Sequence, residues 1–178
     1  IRHILKNYYT IYSINMEKDQ IIILENRGLI SISGNDAKEY LQNIITNDIN
    51  KVSKTNSLFS ALLSPQGKYL FEFFIIKSTN GYYLDCDNKA TEELLINLSK
   101  YKLRSEIKIK DLSNEFVIGI ISLDKFKEIQ NFEKNKSNTI IYRETPIFID
   151  SRKKKLGARI LSSLEKLYLT IKRLNLKI

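Results

Sequence analysis

The spacing of apolar residues divides much of the chain into helices and strands. Residues 36–45 carry apolar side chains at intervals of three and four, which is the spacing of one helix face. The same criterion predicts helices at Lys89–Tyr101, Leu123–Gln130 and Leu164–Leu176. Residues 106–110 instead alternate apolar and charged side chains, as a half-exposed strand does.

The other apolar runs are of strand length and are separated by turn signals. Ser64-Pro65-Gln66-Gly67 predicts a type I turn, and Asn80-Gly81 predicts a second tight hairpin. The predicted strands are Ile21–Glu25, Leu29–Ser33, Ser57–Leu63, Lys68–Lys77, Tyr82–Asp87, Glu106–Lys110, Phe116–Ser122, Thr139–Arg143, Pro146–Asp150 and Leu156–Leu161. Because hairpin-linked strands and helices follow one another irregularly, we expect an α+β fold with mixed or antiparallel sheets and packed helices.

Composition argues against a few functional classes and does not select one. No apolar run approaches the roughly 20 residues that cross a bilayer, so we expect no membrane association. Cys86 is the single cysteine; a small buried hydrophobe is the simplest interpretation of it, and a reducing compartment is the simplest setting. The single histidine, His3, and the lack of a Gly-rich phosphate loop argue against the familiar nucleophilic and nucleotide-binding sites.

The charge balance favours anionic partners without selecting one. Lys and Arg number 29 against 20 Asp and Glu, a formal net charge of +9, which attracts polyglutamylated cofactor, RNA or acidic protein alike. The basic run Arg152–Lys155 could bind phosphate, but no aromatic residues interleave with it, and a solvated loop is the alternative. We expect Asp150 and Arg152 to pair across an exposed turn.

The first 15 residues differ from the remainder of the chain. They contain no acidic residue and no clear helical or strand period. Met16 is the only methionine and opens a segment that looks like a natural start, MEKDQIIILENRG. We therefore expect residues 1–15 to be upstream or disordered sequence.

Five segments, in order, resemble one protein family. They are GLISISGNDAKEYLQNIITNDI from Gly28, ALLSPQGKYLFEFFI from Ala61, KYKLRSEIKIKD from Lys100, Asp150-Ser151-Arg152 and Leu156-Gly157-Ala158-Arg159. Together they are similar to the folate-binding YgfZ family, relatives of the glycine-cleavage aminomethyltransferase (T-protein). The resemblance covers most of the chain from Met16 onward and implies the N-terminal region of that fold, with a first subdomain over 16–112 and a second over 113–178.

The resemblance implies a tetrahydrofolate-binding accessory protein for iron–sulfur cluster assembly or repair, with effects on tRNA modification. Its partners would be folate, iron–sulfur clients or assembly factors and, as an open possibility, tRNA. We expect a monomer, cytoplasmic in a bacterium or in the mitochondrial matrix of a eukaryote. The alternatives are a folate-dependent aminomethyltransferase and a basic RNA-binding module.

Five residues are predicted to contact the folate: Asn47, Asp48, Glu72, Tyr101 and Arg104. Tyrosine would stack on the ligand and arginine would pair with a glutamyl carboxylate. The alternatives are a helix-ending turn for the first two, an outward-facing strand residue for Glu72, and core packing with a surface ion pair for the last two.

Two departures from the family bear on catalysis. T-protein carries a pair of aspartates just after the hairpin, where this chain has Phe71 and Glu72, and phenylalanine cannot accept a hydrogen bond or assist proton transfer. The family's K-G-C-Y-x-G-Q-E segment also has no counterpart, because Cys86 does not match it. We therefore expect an incomplete chain that is not a turnover enzyme, with no metal site and no catalytic residues of its own.

Overall fold

A computed structural model describes residues 16–132 and 137–178. The segment 1–15, which we expect to be upstream or disordered sequence, and residues 133–136 lie outside this range. The ten strands in the described part are β1 Ile21–Leu24, β2 Arg27–Ser33, β3 Leu58–Leu63, β4 Tyr69–Ser78, β5 Gly81–Asp87, β6 Lys108–Asp111, β7 Val117–Ile121, β8 Thr139–Tyr142, β9 Thr145–Ile149 and β10 Ala158–Ser162. The helices are α1 Ala37–Ile44, α2 Thr91–Tyr101, α3 Leu123–Phe132 and α4 Leu164–Arg173.

The strands form two five-stranded antiparallel sheets. The first sheet has the order β3-β4-β5-β2-β6, and the second has the order β1-β7-β10-β9-β8. The hairpins predicted at 64–67 and near 80 join β3 to β4 and β4 to β5. The predicted α+β class with antiparallel sheets and packed helices is therefore confirmed.

The first strand of the described chain belongs to the second sheet. β1 pairs with β7 along Ile21–Leu24, and the amide of Ile21 donates to the carbonyl of Lys177. Near residue 112 the chain otherwise passes from one sheet to the other. The division into subdomains at that point stays a prediction, with β1 as the strand that crosses it.

The molecule has four layers because the central strands bury both faces. Helices α1 and α2 cover the outer face of the first sheet, and α3 and α4 cover the outer face of the second. A third apolar cluster lies between the two sheets and consists of Leu29, Phe74, Ile76, Ile118, Phe148 and Leu161. Since strand side chains alternate between faces, neighbours of these residues point to the helices.

Glycine is required at two of the connections. Gly67 closes the β3–β4 hairpin with φ +77°, and its amide donates to the carbonyl of Ser64. Gly34 precedes α1 with φ +122°, and a Cβ there would collide with the carbonyl oxygen of Glu106. Gly67 lies between β3 and β4 and Gly34 between β2 and α1, so both fix connections of the first sheet.

Helix boundaries differ from the predictions by a few residues. α2 begins at Thr91 rather than Lys89, because a 3-10 turn over Asn88–Ala90 precedes it, with the Asp87 carboxylate accepting from the amide of Lys89. α4 is capped by Ser163. None of the helices in the described ranges is both long enough and apolar enough to cross a bilayer.

Candidate functional site between the two sheets

Charged side chains enter the space between the sheets at positions where strand alternation predicts apolar ones. Asp85 on β5 and Arg159 on β10 both point inward, beside Phe74 and Phe148 of the apolar cluster. Their side chains are 0% and 2% exposed. With four further side chains they form what we call the inter-sheet ionic cluster: Arg27, Asp85, Arg159, Asp150, Arg152 and Glu72.

Asp85 lies at the centre of this cluster. Its Oδ1 accepts from Nε of Arg27 at 2.6 Å, and its Oδ2 accepts from Nη1 of Arg159 at 2.6 Å. Burial lowers the pKa of Arg159, whereas the neighbouring Asp85 raises that of Arg27 against the opposing effect of burial. A carboxylate with two guanidinium partners is the arrangement that buried charge requires.

Asp150 extends the cluster toward solvent. Its Oδ2 accepts from Nε of Arg159 at 3.1 Å and from Nη2 of Arg152 at 2.6 Å, while its Oδ1 accepts from Nε of Arg152 at 2.9 Å. Burial alone would raise the pKa of Asp150, but the hydrogen bonds and positive charges of the two arginines outweigh it and hold that pKa below its ordinary value. The predicted Asp150–Arg152 pair is thus confirmed. The prediction that this pair is exposed to solvent is wrong, because both side chains are largely buried.

Arg152 lies at the accessible end of the cluster. Its guanidinium is 5.0 Å from the ring centre of Phe74 and 5.4 Å from that of Phe59, so two aromatic faces support it. Only 15% of its side chain is exposed. The interpretation of the basic run Arg152–Lys155 as a solvated loop is therefore wrong for its first residue.

Glu72 faces Arg152 from the first sheet. Its Oε1 lies 3.9 Å from Nη1 of Arg152, and 31% of its side chain is exposed. The carboxylate also contacts Tyr69, and burial together with this charge raises the pKa of that tyrosine to about 12. The outward-facing alternative for Glu72 does not hold, since the side chain points to Arg152 of the second sheet, and a folate contact by Glu72 stays a prediction.

Phe71, the neighbour of Glu72, points the opposite way. It is buried among the residues that pack under α1 and α2. The two positions that match the aspartate pair of T-protein therefore lie on different faces of β4, and only Glu72 lies in the space between the sheets.

Asn47 belongs to the same end of the molecule as Glu72, although its contacts are internal. Its Nδ2 donates to the carbonyl of Phe59 at 3.1 Å, and its Oδ1 accepts from the amide of Asp48. Asp48 accepts from the amide of Asn50 at 2.9 Å and begins a short 3-10 turn, and this bond lowers its pKa. Both residues hold the loop beside β3 in place; direct folate contact by either stays a prediction.

The last two predicted residues lie elsewhere. Arg104 lines an open cavity of about 530 Å³ between α1 and the turn after α2, together with Asp36, Glu39, Tyr40, Asn43, Leu103 and Ser105. Tyr101 is partly buried against the core under the helices. The structure thus separates Arg104 from Glu72, which interacts with Arg152 instead, and a folate contact by Tyr101 or Arg104 also stays a prediction.

Sequence reasoning missed the buried members of the cluster. Arg27, Asp85 and Arg159 each sit at or beside an apolar strand run, where an ionisable residue needs an oppositely charged partner. That signal indicates buried ion pairs, although it does not identify the partners. Cys86, by contrast, is buried as predicted, and burial raises the pKa of its thiol to about 11.

The inter-sheet ionic cluster offers little acid–base chemistry. Its ionisable groups are arginines and carboxylates that already pair with one another. Within residues 16–132 and 137–178, no group of three or more histidine, cysteine or acidic side chains is placed to hold a metal ion.

Comparisons with known proteins add relatives for most of the chain. No family model matches the sequence. The iron-sulfur cluster assembly factor IBA57 homologue, mitochondrial, of Mycosarcoma maydis is 27% identical over 154 residues, which cover 79% of this chain and 36% of the relative. The homologue of the same name in Dictyostelium discoideum is 24% identical over 84% of this chain and 42% of its own length. The chain therefore spans less than half the length of these curated relatives.

Solved structures give the fold directly. The glycine cleavage system aminomethyltransferase T of Bartonella henselae superposes with a TM-score of 0.67 at 14% identity, over 87% of this chain and 45% of that one. A chain of heterotetrameric sarcosine oxidase from a Corynebacterium species superposes with a TM-score of 0.58 at 10% identity. The chain has the aminomethyltransferase-like fold that the resemblance implied.

Proposed function

We propose that this chain is a tetrahydrofolate-binding accessory protein that acts in iron–sulfur cluster assembly or repair. The observation that carries the proposal is its similarity to IBA57 homologues over 79–84% of its length, combined with an aminomethyltransferase-like fold. Those relatives are named as iron-sulfur cluster assembly factors. Iron–sulfur proteins and their assembly machinery are accordingly the partners that we propose.

The residues between the sheets fit the chemistry of a folate. Tetrahydrofolate combines a reduced pterin and an aromatic benzoyl ring with a carboxylate-bearing glutamyl tail. The accessible end of the cluster offers the guanidinium of Arg152, the carboxylate of Glu72 and the half-exposed ring of Tyr69. A cation and an aromatic surface suit such a ligand.

The position of Phe71 argues against an aminomethyltransferase. A pair of carboxylates would support one-carbon transfer at the folate, but Phe71 is buried on the helix side of β4 and Glu72 alone remains between the sheets. We therefore propose that the folate is bound without turnover by this chain. Binding of tRNA stays a separate prediction; a filter-binding series with tRNA at increasing salt would reveal it as a steep loss of affinity.

The names of the relatives support a subcellular location only in part. Their names include the word mitochondrial. This supports the mitochondrial matrix if the chain comes from a eukaryote, and the cytoplasm stays the expectation for a bacterial source.

The first test is calorimetric titration of the 178-residue chain with tetrahydrofolate under reducing, oxygen-free conditions. We expect saturable binding with one ligand per chain. The absence of heat, and of any rise in Tm at millimolar ligand, would remove folate from the proposal.

The second test addresses iron–sulfur assembly directly. The chain, fused to a mitochondrial targeting sequence, would be expressed in Mycosarcoma maydis cells depleted of their own IBA57 homologue. We expect partial recovery of mitochondrial iron–sulfur enzyme activities over cells that express an unrelated matrix protein. Equal activities in the two strains would count against an assembly role for this chain.

A further inference from the structure

We propose that the outward face of helix α4 binds a second copy of this chain, so that two α4 helices pack antiparallel about a two-fold axis. The face consists of Glu165, Tyr168, Leu169 and Lys172, which lie on the side of α4 that points away from the second sheet. This surface does not depend on the inter-sheet ionic cluster or on the proposed folate function. The dimer takes the place of the monomer that the sequence predicts.

Helix α4 is fixed against the molecule from one side. Leu167 is buried, and Ile171 and Leu174 pack against the apolar cluster under α3 and α4. Ser163 caps the helix and accepts a backbone amide of the first turn at 3.4 Å. The helix therefore presents its opposite face in a fixed orientation, which lowers the entropic cost of binding.

The centre of the outward face is apolar. Tyr168 is 66% exposed and Leu169 is 39% exposed. Successive residues are about 100° apart around a helix, so these two side chains lie on either side of the line that joins Glu165 and Lys172. Leu164, one turn before Tyr168, is also largely exposed and extends the apolar surface. Contiguous apolar side chains at the surface of a domain are typical of interaction sites.

Charges of opposite sign flank this apolar centre. Glu165 lies in the first turn of α4 and Lys172 in the last, and both are exposed. Neither forms an ion pair within the described part of the chain, whereas Lys166 is paired with Glu144 at 2.7 Å. Seven positions, about 10 Å of helix, separate Glu165 from Lys172.

The order of these residues is self-complementary when two helices run antiparallel. In a pair that is centred between Tyr168 and Leu169, Glu165 of each copy faces Lys172 of the other, and Tyr168 of each copy faces Leu169 of the other. Both ion pairs form together because the spacing is the same in the two copies. A patch that meets its own copy about a two-fold axis is the commonest arrangement in homodimers.

Helix α2 shows that charge alone does not select α4. It too carries acidic residues in its first turn and Lys100 in its last, a distribution that the helix dipole favours in any helix. Its surface, however, has Ile96 followed by Asn97, where α4 has Tyr168 followed by Leu169. The larger apolar centre therefore distinguishes α4, and α2 supplies matched control positions.

The expected dimer is weak. The contact between two helices of ten residues is much smaller than the roughly 2,000 Å² or more that permanent dimers bury. Each copy also carries a formal net charge of +9, which opposes association at long range until salt screens it. We therefore expect monomer and dimer to exchange, with the dimer favoured at high protein concentration.

The first measurement is sedimentation equilibrium of the 178-residue chain, from micromolar to submillimolar protein at physiological ionic strength. We expect reversible dimerisation. Glu165→Lys and Lys172→Glu should each weaken it by about tenfold, because like charges then meet at both ends of the helix pair. An unaltered chain that stays monomeric at every concentration would overturn the proposal.

A mixture of these two variants gives the decisive result. When Glu165→Lys meets Lys172→Glu, each end of the antiparallel pair again brings a lysine against a glutamate. The equimolar mixture should therefore dimerise about as strongly as the unaltered chain. No recovery in the mixture would refute the antiparallel arrangement.

The control variants are Glu92→Lys and Lys100→Glu in α2. They make the same charge changes at exposed positions in the first and last turns of a helix. We expect them to leave dimerisation unchanged, alone and mixed. Equal effects from the two helices would show that net charge controls association, and would overturn the proposal.

A further variant tests the apolar centre without changing any charge. Tyr168→Ala should weaken dimerisation by about tenfold, since it removes a large side chain from the middle of the contact. Ile96→Ala, at a half-exposed position of α2, should leave it unchanged. Circular dichroism would check that each variant keeps its helix content. Undiminished dimerisation of Tyr168→Ala would reject α4 as the interface, even if charge reversal had disturbed the helix.

Discussion

Arg152 and Arg104 are the two arginines considered as folate contacts, and they differ in burial and in the side chains that hold them. Arg152 is largely buried between the sheets, rests on two phenylalanine rings and is held by Asp150. Arg104 is exposed on the rim of an open cavity in the turn after α2. A charged side chain binds specifically when its neighbours fix it and exclude water. Position in the fold therefore fixes the guanidinium of Arg152 far more closely than that of Arg104.

The largest loss of stability is expected when the charge of Asp85, at the centre of the inter-sheet ionic cluster, is removed. Asp85→Asn would leave Arg27 and Arg159 without a full countercharge in a site that is closed to water. Breaking a buried ion pair on one side lowers the free energy of unfolding by about 3–5 kcal/mol. Urea denaturation followed by circular dichroism would measure it.

An exposed ion pair provides the matched control for Asp85. Glu144→Gln removes one carboxylate from the Lys166–Glu144 pair, whose side chains are 51% and 82% exposed. We expect a far smaller change than for Asp85→Asn, because water and salt screen an exposed pair. Similar losses in the two variants would mean that the inter-sheet ionic cluster is more hydrated than the structure shows.

The same contrast explains what the sequence could and could not predict. Apolar spacing located the strands and helices because burial of one face is a local, periodic property. Glu72 was marked by the family resemblance, and the Asp150–Arg152 pair by the charges on either side of Ser151, rather than by apolar spacing. Apolar spacing did not reveal that Asp85 meets Arg159, since these residues are 74 positions apart and are joined only when the two sheets pack. Nor did it separate Arg104 from the inter-sheet space, because a tyrosine and an arginine three residues apart form the same sequence pattern on a cavity rim as in a binding site.

The acid sensitivity of the buried region forms the next prediction. The pKa of Asp150 is lower in the folded chain than the value of about 3.9 in an unfolded one, so the unfolded chain binds more protons as the pH falls below about 4. The stabilisation that Asp150 contributes is therefore complete above that value and is lost as the pH falls through its folded pKa. Unfolding free energies between pH 2.5 and 6 would show the loss.

Other carboxylates with lowered pKa values, such as Glu144 and Asp48, contribute to the same acid unfolding. The useful quantity is the difference between the unaltered chain and Asp150→Asn. This difference should shrink as the pH is lowered toward 2.5. A difference that is constant with pH would show that Asp150 stabilises the fold by its shape rather than by its charge.

A smaller loss of stability is expected from a substitution at Tyr40, beneath the Arg104 cavity. Tyr40 lines that cavity and donates its hydroxyl to the carbonyl of Leu98 at 2.6 Å, within the core under α1 and α2. Tyr40→Phe keeps the ring and removes one neutral hydrogen bond, which lowers the free energy of unfolding by about 1 kcal/mol. A loss of unfolding free energy as large as that of Asp85→Asn would mean that polar contacts at the Arg104 cavity stabilise the fold as much as the inter-sheet ionic cluster does, and would contradict the comparison.

The smallest change in stability is expected at Leu103, where a substitution should stabilise the chain. Leu103, also on the cavity rim, adopts φ +45° while 88% of the residue is exposed, so it occupies a left-handed conformation and buries almost no surface in return. Leu103→Gly removes this penalty but adds freedom to the unfolded chain, and we expect a net gain in unfolding free energy below about 1 kcal/mol. Ile96→Gly, at a half-exposed position inside α2, is the control and should lose roughly 1 kcal/mol. If Leu103→Gly destabilised the chain as much as Ile96→Gly does, the leucine side chain would be making contacts that stabilise the cavity rim.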